Sequence, residues 1–550
     1  MQPTRVGDTV NIAVQHYEAG RLNPAAQLCL TFLQHHPHDA HALHLLGAIA
    51  YKKGLYRQAI DLIREAIKNN PFTPQCHNTL GAALRATGEL EEAITAYEQA
   101  LSLDPQYCSA HLNMGNIFMS QGQFRAAITK YHHAISLDPL CIEVYNNMAI
   151  ALQYQGEFEA AMEKCKQALL LKPDNAEVYN TIASVFMKKG RYTEAIDNYQ
   201  RALKLKPDYA EAHCNLGMTF LLIGRFEEGW AEYQWRLNAE KASGLHRYPV
   251  PCWDGSPFEG KRLVVHFEQG FGDNIQFIRY LPMVKRRGGT VICEMPRPLT
   301  GLLRGFPGID ELINAPLGNR PSMRSDLHVP LLELPRIFGT TLPTIPCTIP
   351  YLHADAIKSE YWRQRLAGMD LKVGIVWAGE PAHNEDKNRS CHLRHFLRLS
   401  KIPGVQLIGL QKGAAAGQVK DLAGMISITN LEGELNDFTD TAAVIGNLDL
   451  VISVDTAVLH LAGAMGKPAW AMLSAAPDWR WMLDRQDNPW YPSIRLFRQR
   501  KYGDWDGVFK QIAEELEILT VRSGPQVYNY KSFLRKDIHV IQPLVCDSTI

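Results

Sequence analysis

The feature that most constrains the fold of this chain is a repeat of 34 residues that runs from Gly20 to Gly224. Glycines, alanines and prolines each return at this interval in their own register, and chance does not produce three such series together. The three series are Gly20, Gly54, Gly88, Gly122, Gly156, Gly190 and Gly224; Ala25, Ala59, Ala93, Ala127, Ala161 and Ala195; and Pro37, Pro71, Pro105, Pro139, Pro173 and Pro207. The N-terminal part of the chain is therefore predicted to fold as a row of similar units.

Each unit is predicted to contain two helices joined by a tight turn. In the unit from Pro74 to Tyr107, apolar residues recur at helical spacing before Gly88 and again between Gly88 and Pro105. Glycine permits the tight turn, small alanines let the paired helices approach closely, and proline ends the second helix. The order helix, turn, helix and stop therefore repeats along the chain.

This pattern resembles the tetratricopeptide repeat, over residues 6–238 and about seven repeats. The resemblance implies an α-helical superhelix whose concave face, lined by the first helix of each pair, binds an extended peptide. A protein or peptide partner is therefore expected on that face. Polar side chains share one register of the first helices, and they either bond to a peptide backbone or are simply solvated: Thr79, Asn113, Asn147, Thr181 and Asn215.

Composition excludes several classes of protein. Lys plus Arg and Asp plus Glu both total 57, so the chain has no overall positive charge with which to bind a nucleic-acid backbone. Its eleven cysteines are scattered without paired metal-ligand spacing, which favours free thiols in a reducing compartment. The N-terminus lacks the pattern of a signal peptide, and no uninterrupted apolar run is long enough to span a membrane. A cytoplasmic protein that binds no nucleic acid is expected.

A second architecture begins after residue 240, where β-like apolar runs alternate with helical stretches. Eight strands are predicted, at residues 262–267, 290–294, 326–332, 372–377, 405–410, 448–454, 469–473 and 494–497. Strands separated by helices indicate parallel sheets, and a proline-rich stretch over 340–350 divides the series into two halves with a cleft between them. The predicted halves span 247–365 and 366–520, with a tail at 521–550.

Two strand-end loops are candidates for the site, because ligands in open α/β sheets bind beyond the carboxyl ends of the strands. In the first loop, Gly270 and Gly272 precede a carboxylate, Asp273, at the start of a helix. The positive end of a helix stabilises an ionised carboxylate, as a general base requires. An aspartate at a helix start is also a common N-cap, so both roles remain open for Asp273.

The second candidate loop begins at Asp455, where a strand runs directly into an apolar helix. The free N–H groups at such a helix start favour a phosphate group, and Thr456 adds a hydroxyl. His460 lies one turn further along this helix. It is either a ligand of the phosphate or a buried structural histidine.

With these residues and the following Ala464-Met465-Gly466-Lys467-Pro468, the second architecture resembles the heptosyltransferase-like glycosyltransferases of the two-domain, GT-B type (family 9), over residues 260–520. The implied fold class is α plus α/β, a tetratricopeptide superhelix followed by a two-half GT-B fold. The resemblance implies that Asp273 is the catalytic base of the acceptor-side half. It also implies that the diphosphate of a nucleotide sugar binds at Thr456, Ala457 and His460, and at a basic residue of the loop after the first strand of the second half, Lys387 or Arg389. Asp455 is counted in the same nucleotide-sugar site.

The joining of repeats to such a domain is also similar to the protein O-linked N-acetylglucosamine transferases, in which the region equivalent to Gln411-Lys412 holds the nucleotide. The chain has Ala457 where heptosyltransferases commonly have glycine, and no acidic residue for a ribose occurs between Gly413 and Gln418. The donor sugar, the base and the acceptor therefore stay open.

The predicted function is transfer of a sugar from a nucleotide diphosphate sugar to an acceptor hydroxyl, with inversion and without metal or cofactor, while the repeats recruit a protein. Two alternatives remain. One is a repeat-based scaffold with a non-catalytic sugar-nucleotide domain. The other is a transferase of lipopolysaccharide core sugars, in which the repeats have no catalytic role.

Overall fold

The computed structural model describes residues 6–238, 248–314, 324–381 and 385–522. The predicted tail at 521–550 lies almost entirely outside the described residues.

The N-terminal part consists of seven pairs of helices, which confirms the predicted repeat array. Their bounds are α1 Val6–Glu18, α2 Leu22–His35, α3 Ala40–Lys52, α4 Tyr56–Asn69, α5 Pro74–Thr87, α6 Leu90–Leu103, α7 Cys108–Ser120, α8 Phe124–Leu137, α9 Ile142–Tyr154, α10 Phe158–Leu171, α11 Ala176–Lys188, α12 Tyr192–Leu205, α13 Ala210–Leu222 and α14 Phe226–Tyr233. The seven turn glycines all have φ between 67° and 86°, the left-handed region that glycine adopts without strain. The alanines of the second register are fully buried between the helices of each pair.

Four residues of the polar register of the first helices form hydrogen bonds to neighbouring repeats: Thr79, Asn113, Asn147 and Thr181. The bonds are His44 Nε2 to Thr79 Oγ1 (2.9 Å), Asn113 Nδ2 to Asn78 Oδ1 (3.0 Å), Asn147 Nδ2 to Asn116 Oδ1 (2.9 Å) and Thr181 Oγ1 to Asn146 Oδ1 (2.8 Å). These side chains therefore join successive repeats and are more than solvated surface groups.

One of these bonds involves a histidine whose titration should affect stability. Burial, together with the neighbouring His41, lowers the pKa of His44 from 6.5 to about 4, against a smaller opposing effect of the Gln75 backbone. The folded chain therefore holds His44 neutral at pH 5, whereas the unfolded chain protonates it. Stability is unaffected above about pH 6.5 and is lost progressively as the pH falls from there toward 4.

We expect His44→Gln to remove part of the stability loss that the wild-type chain shows between pH 7 and pH 5, on the order of 2 kcal/mol. Urea unfolding followed by far-ultraviolet circular dichroism at both pH values measures the effect. His38→Gln, at an exposed position, is the matched control. An equal fall of the urea midpoint in the wild type and in His44→Gln would contradict the prediction.

The C-terminal part contains two parallel sheets. The first has four strands in the order β3-β2-β1-β4, and the second has six in the order β10-β9-β8-β5-β6-β7. The strands are β1 Arg262–His266, β2 Thr290–Met295, β3 Glu311–Asn314, β4 Leu327–Pro330, β5 Leu371–Val376, β6 Val405–Gly409, β7 Ile428–Asn430, β8 Leu450–Val454, β9 Ala469–Leu473 and β10 Ile494–Arg498. The two sheets confirm the predicted α/β architecture.

Helices connect the strands and extend beyond the second sheet. They are α15 Phe271–Phe277, α16 Leu281–Lys285, α17 Arg297–Thr300, α18 Leu334–Ile337, α19 Ala356–Arg365, α20 Asp386–Arg389, α21 Gln418–Asp421, α22 Phe438–Gly446, α23 Ala457–Ala464 and α24 Trp505–Arg522.

All eight predicted strands are present, and two further strands were not predicted. Both missed strands, β3 and β7, are short and lie at a sheet edge, where their residues are half-buried or exposed. The central strands β8 and β9 are buried at every position. Well-buried parallel strands therefore show the continuous apolar run that marks them in a sequence, and these two short, partly exposed strands do not.

The chain divides into two compact units, and the division does not follow the change of architecture. One unit comprises residues 1–185 and 204–207, and the other comprises 186–203 and 208–550. The repeat pair α13–α14 therefore belongs to the same compact unit as the two sheets. The division lies upstream of residue 240, where the repeat sequence ends.

The described helices and cysteines are also relevant to the predictions on membrane spans and disulfides. None of the described helices combines the length and the apolar character needed to cross a bilayer. The cysteines of the described residues are free thiols, and five of them are buried: Cys29, Cys76, Cys165, Cys293 and Cys391.

Candidate active site

The structure brings the two predicted strand-end loops into direct contact. The first loop follows β1 of the four-stranded sheet, and the second follows β8 of the six-stranded sheet. A β-carbon on Gly272 would lie 2.7 Å from Cδ2 of His460, so only glycine permits this approach of α15 to α23. The second glycine of the first loop therefore has a steric role at the junction of the two candidate loops.

Asp273 is the third residue of α15, and Gly270 occupies the N-cap position. One carboxylate oxygen, Oδ2, accepts a hydrogen bond from the Gly270 N–H at 2.9 Å. The other oxygen, Oδ1, accepts from Nη2 of Arg480. Asp273 thus lies in the first helical turn with both oxygens bonded, rather than at the N-cap itself.

Arg480 is the functional partner that the sequence did not reveal. Its buried guanidinium donates to Asp273, to Oδ1 of Asp478 at 2.8 Å and to Oε1 of Gln276 at 2.9 Å. Burial alone would lower the pKa of Arg480, but the charges of Asp478 and Asp273 raise it above its ordinary value. A fixed positive charge therefore orients the Asp273 carboxylate. In the sequence, Arg480 is marked only by its position between two tryptophans, Trp479 and Trp481.

The second loop presents the start of α23. Thr456 is its N-cap residue, and its hydroxyl is 2.9 Å from the hydroxyl of Ser453. Ala457 and Val458, the first two helical residues, are half-buried. N–H groups at these positions have no carbonyl partner within a helix, and the helix dipole favours a negative charge beside them.

His460 is buried one turn further along. Its Nδ1 is 3.1 Å from the Tyr491 hydroxyl, and its Nε2 is 3.7 Å from Oδ1 of Asp455. The ring also packs against Trp481, with the centroids 5.5 Å apart. The imidazole is therefore fixed in orientation between a phenol, a carboxylate and the Gly272 backbone.

Asp455 remains an anion in this environment. Burial would raise the pKa of Asp455, but the neighbouring His460 and the positive charge of Arg389 outweigh it, so the pKa is lowered. Asp455 is thus within electrostatic range of Arg389, in the loop that follows β5.

Of the two basic candidates on α20, Arg389 is the one that packs back onto the chain that follows β5. Its guanidinium covers Gly379, where a β-carbon would be 2.5 Å from Nη2. Its buried Nε has no hydrogen-bond partner among the described residues and is 3.5 Å from Oδ1 of Asp386. Lys387 is on the same short helix and is exposed. Arg389 is therefore the better placed of the two for a buried phosphate.

Gln411 and Lys412 have side-chain roles that the sequence did not predict. The buried Gln411 amide accepts from the N–H groups of Trp377 and Ala378 and donates to the carbonyls of Ala378 and Lys412. All its hydrogen-bonding capacity is therefore used to join the ends of β5 and β6. The Lys412 Nζ donates to the backbone carbonyls of Glu432 (2.8 Å) and Leu435 (2.7 Å), beyond β7. Both side chains hold backbone at the edge where a nucleotide was expected.

Comparisons with known proteins agree with this architecture. Residues 403–503 match the family glycosyltransferase family 9 (heptosyltransferase). Residues 72–246 match the cilia and flagella-associated protein 70 C-terminal domain, and residues 18–100 match the anaphase-promoting complex, cyclosome, subunit 3. The family 9 match includes Asp455 and Arg480, whereas Asp273 and Arg389 lie before it.

Similar individual proteins match parts of the chain. Protein FlbA of Caulobacter vibrioides is 28% identical over 298 residues, which are 50% of this chain and 50% of that protein. The chain thus spans about half the length of this curated relative. A tetratricopeptide repeat protein from Parabacteroides merdae is 14% identical, covering 44% of this chain and 94% of that one, with a TM-score of 0.37. MamA is 24% identical, covering 30% of this chain and 98% of that one, with a TM-score of 0.28.

The chain is therefore built from two classes of domain. Its N-terminal part carries tetratricopeptide-type repeats, and its C-terminal part carries a glycosyltransferase family 9 (heptosyltransferase) domain. Sugar transfer and protein interaction are the general functions that these domains support.

Proposed function

We propose that the protein transfers a sugar from a nucleotide diphosphate sugar to an acceptor hydroxyl, with inversion and without a metal requirement, through a GT-B arrangement of its two sheets. One observation carries the proposal. The Asp273 carboxylate follows a strand of the first sheet, and the start of α23, which favours a phosphate, follows a strand of the second sheet. Gly272, next to Asp273, is in close contact with His460 of α23, so the two groups are neighbours. A base and a site for a leaving diphosphate are the two groups that such a transfer needs.

Asp273 is the proposed base. Each carboxylate oxygen has a second lone pair beyond those used by Gly270 and Arg480, so the group can still accept from an acceptor hydroxyl. The hydroxyl proton passes to Asp273 while the oxygen forms a bond to the anomeric carbon of the donor. The bond from that carbon to the diphosphate oxygen breaks, and attack opposite the leaving group inverts the configuration.

The leaving diphosphate takes the released electron pair, and its charge needs stabilisation. The first N–H groups of α23, at Ala457 and Val458, and the guanidinium of Arg389 are the proposed donors. These groups are fixed before reaction, so they require little reorganisation as charge develops. They are also the reason that we propose a metal-independent reaction.

The interacting partner of the repeats is proposed to be a protein that contains the acceptor or delivers it. Tetratricopeptide-type repeats support protein binding in general. The hydrogen bonds between successive first helices fix the spacing of the array, which gives an extended peptide a regular surface.

A second candidate function has one observation in its favour. Both oxygens of Asp273 already accept a hydrogen bond, one from the Gly270 N–H and one from the Arg480 guanidinium, so the carboxylate already has structural partners of its own. This arrangement suits a domain that binds a sugar nucleotide without turnover. The two functions differ in whether any donor is consumed.

Incubation of the full chain with a panel of UDP-, GDP-, ADP- and CMP-sugars tests the proposal. We expect one nucleoside diphosphate sugar to release its diphosphate, slowly to water and faster with an acceptor, and to raise the thermal unfolding temperature. Thermal protection by a donor without any turnover would favour the non-catalytic alternative. Activity that disappears with chelator and returns with magnesium or manganese would overturn the metal-independent mechanism.

Arg389→Ala tests the proposed diphosphate site. We expect it to weaken binding of the free nucleoside diphosphate by about 1.5 to 3 kcal/mol, because a hydrogen bond to a charged group contributes about this much. Binding of the bare nucleoside should hardly change, since it lacks the phosphates. Calorimetric titration of both ligands measures the difference.

Lys387→Ala, on the same helix, is the matched control for Arg389→Ala. A larger loss of diphosphate binding in Lys387→Ala would move the phosphate contact to that residue. Equal losses for nucleoside and diphosphate in Arg389→Ala would indicate a disturbed loop instead of a lost phosphate contact.

A further inference from the structure

The loop that carries Asp273 contains a residue with an unfavourable backbone conformation. Gln269 has φ of 54°, in the left-handed region that residues with a side chain rarely adopt. Such a conformation persists only where the surrounding structure holds it. Gln269 immediately precedes Gly270, whose N–H bonds to the Asp273 carboxylate.

The groups that hold this conformation come from the last segment of the repeat array. Nε2 of Gln269 donates to the Tyr233 hydroxyl at 3.0 Å. The neighbouring Glu268 is fully buried, and its carboxylate accepts from Nε (3.2 Å) and Nη2 (3.0 Å) of Arg236. Tyr233 ends α14, and Arg236 follows it by three residues. Two consecutive loop residues, Glu268 and Gln269, are therefore bonded to the end of the repeat array.

The same segment also packs beside the partner of Asp273. The rings of Trp230 and Trp479 are perpendicular, with their centroids 5.4 Å apart, and Tyr233 contacts the same Trp479 ring. Trp479 precedes Arg480, which donates to the Asp273 carboxylate. The end of the array therefore contacts the chain on both sides of the ion pair between Asp273 and Arg480.

We propose that Tyr233 and Arg236, at the end of the repeat array, are positioning residues that hold the loop 268–270 in the conformation that orients Asp273 toward the acceptor. This inference rests on the proposed function, in which Asp273 is the base. It adds that the last repeat is a structural component of the catalytic site. Tyr233 acts through the Gln269 amide, and Arg236 acts through the Glu268 carboxylate.

Tyr233→Phe is the most informative variant, because it removes one hydroxyl and keeps the buried ring. Tyr145→Phe is the matched control, since its hydroxyl donates to the Pro139 carbonyl at 3.1 Å, within the repeats of the other compact unit. Arg236→Lys is a second variant that keeps the charge beside Glu268 but loses the paired hydrogen bonds.

Hydrogen–deuterium exchange of the full chain tests the holding role without any substrate. In Tyr233→Phe, we expect backbone amides of the peptide over residues 268–273 to exchange several-fold faster than in the wild type or in Tyr145→Phe. Equal exchange of this peptide in all three proteins would overturn the proposal.

Kinetics with the donor that the wild type consumes test the positioning role. We expect Tyr233→Phe to lower the turnover number between about 10- and 100-fold, as misplacement of a reacting group does, with the donor Michaelis constant within about twofold. In an Asp273→Asn background, Tyr233→Phe should have no further effect, because the group that it positions is absent. An unchanged turnover number, or an equal loss in that background, would overturn the positioning role.

The two experiments separate this inference from the proposed function. Absence of turnover by the wild-type chain with every donor would count against the proposed function, and against positioning of a base with it. The exchange measurement would still decide whether Tyr233 holds the loop, since it requires neither donor nor acceptor.

Discussion

Asp273→Asn should lower the turnover number at least about 10²-fold, because general-base assistance contributes about 10²- to 10⁴-fold. The amide cannot take the proton of the acceptor hydroxyl, but it keeps the size of the carboxylate and can still accept from the Gly270 N–H. We therefore expect the affinity for nucleoside diphosphate to stay within a few-fold of the wild-type value. Steady-state release of nucleoside diphosphate and calorimetric titration measure the two quantities.

Asp478→Asn is the matched control for this prediction. Asp478 also accepts from the Arg480 guanidinium, at 2.8 Å, so its amide variant removes a negative charge from the same cluster. A small loss in Asp478→Asn beside a large loss in Asp273→Asn indicates a base. Equal losses would indicate that Asp273 serves only to neutralise the charge of Arg480. Unchanged turnover in Asp273→Asn would indicate that it serves only to accept from the Gly270 N–H at the start of α15.

Arg236→Met should destabilise the second compact unit by about 3 to 5 kcal/mol, the range for removal of one partner from a buried ion pair. Arg236 bonds to Glu268 and Glu333, and the three side chains are only 8%, 0% and 2% exposed. Methionine fills much of the same volume but leaves Glu268 without its cation and Glu333 with Arg336 as its remaining one. We expect a marked fall of the unfolding temperature.

Tryptophan fluorescence makes this measurement selective. All ten tryptophans lie between Trp230 and Trp505, and thus in the compact unit that contains both sheets. Arg262→Met is the control, because its ion pair with Glu311 is 35% and 44% exposed and such a pair contributes only about 0 to 1 kcal/mol. If the two substitutions lowered the unfolding temperature seen by fluorescence equally, the predicted larger contribution of the buried ion pair would be wrong.

Much of the fold could be predicted from the sequence, because its determinants are local. The 34-residue period requires a glycine, an alanine and a proline to return in every unit, and the helices follow from that spacing. The central strands are buried on both faces and therefore read as apolar runs. The strands β3 and β7 lack this signal because they are short and none of their residues is fully buried.

The candidate site was only partly predictable, for a related physical reason. A strand end followed by a helix start is a local pattern, and it identified Asp273 and Thr456. The partner of Asp273 is Arg480, which is 207 positions away in the sequence, and no local signal connects them. The role of Gln411 was also hidden, because an amide that joins two strand ends looks the same in the sequence as one that binds a ligand.

The placement of the compact-unit boundary limits how such a protein can be recombined. Whole repeats upstream of Val185 could be gained, lost or exchanged without cutting into the unit that contains the sheets. The last pair of helices lacks this freedom, since a chain that begins at residue 247 would keep both sheets and lose Arg236. Glu268 would then be a buried anion without its cation, and Glu333 would keep only its ion pair with Arg336. A swap of binding specificity between related chains should therefore join the two sequences within the array, and not at the end of the repeat pattern.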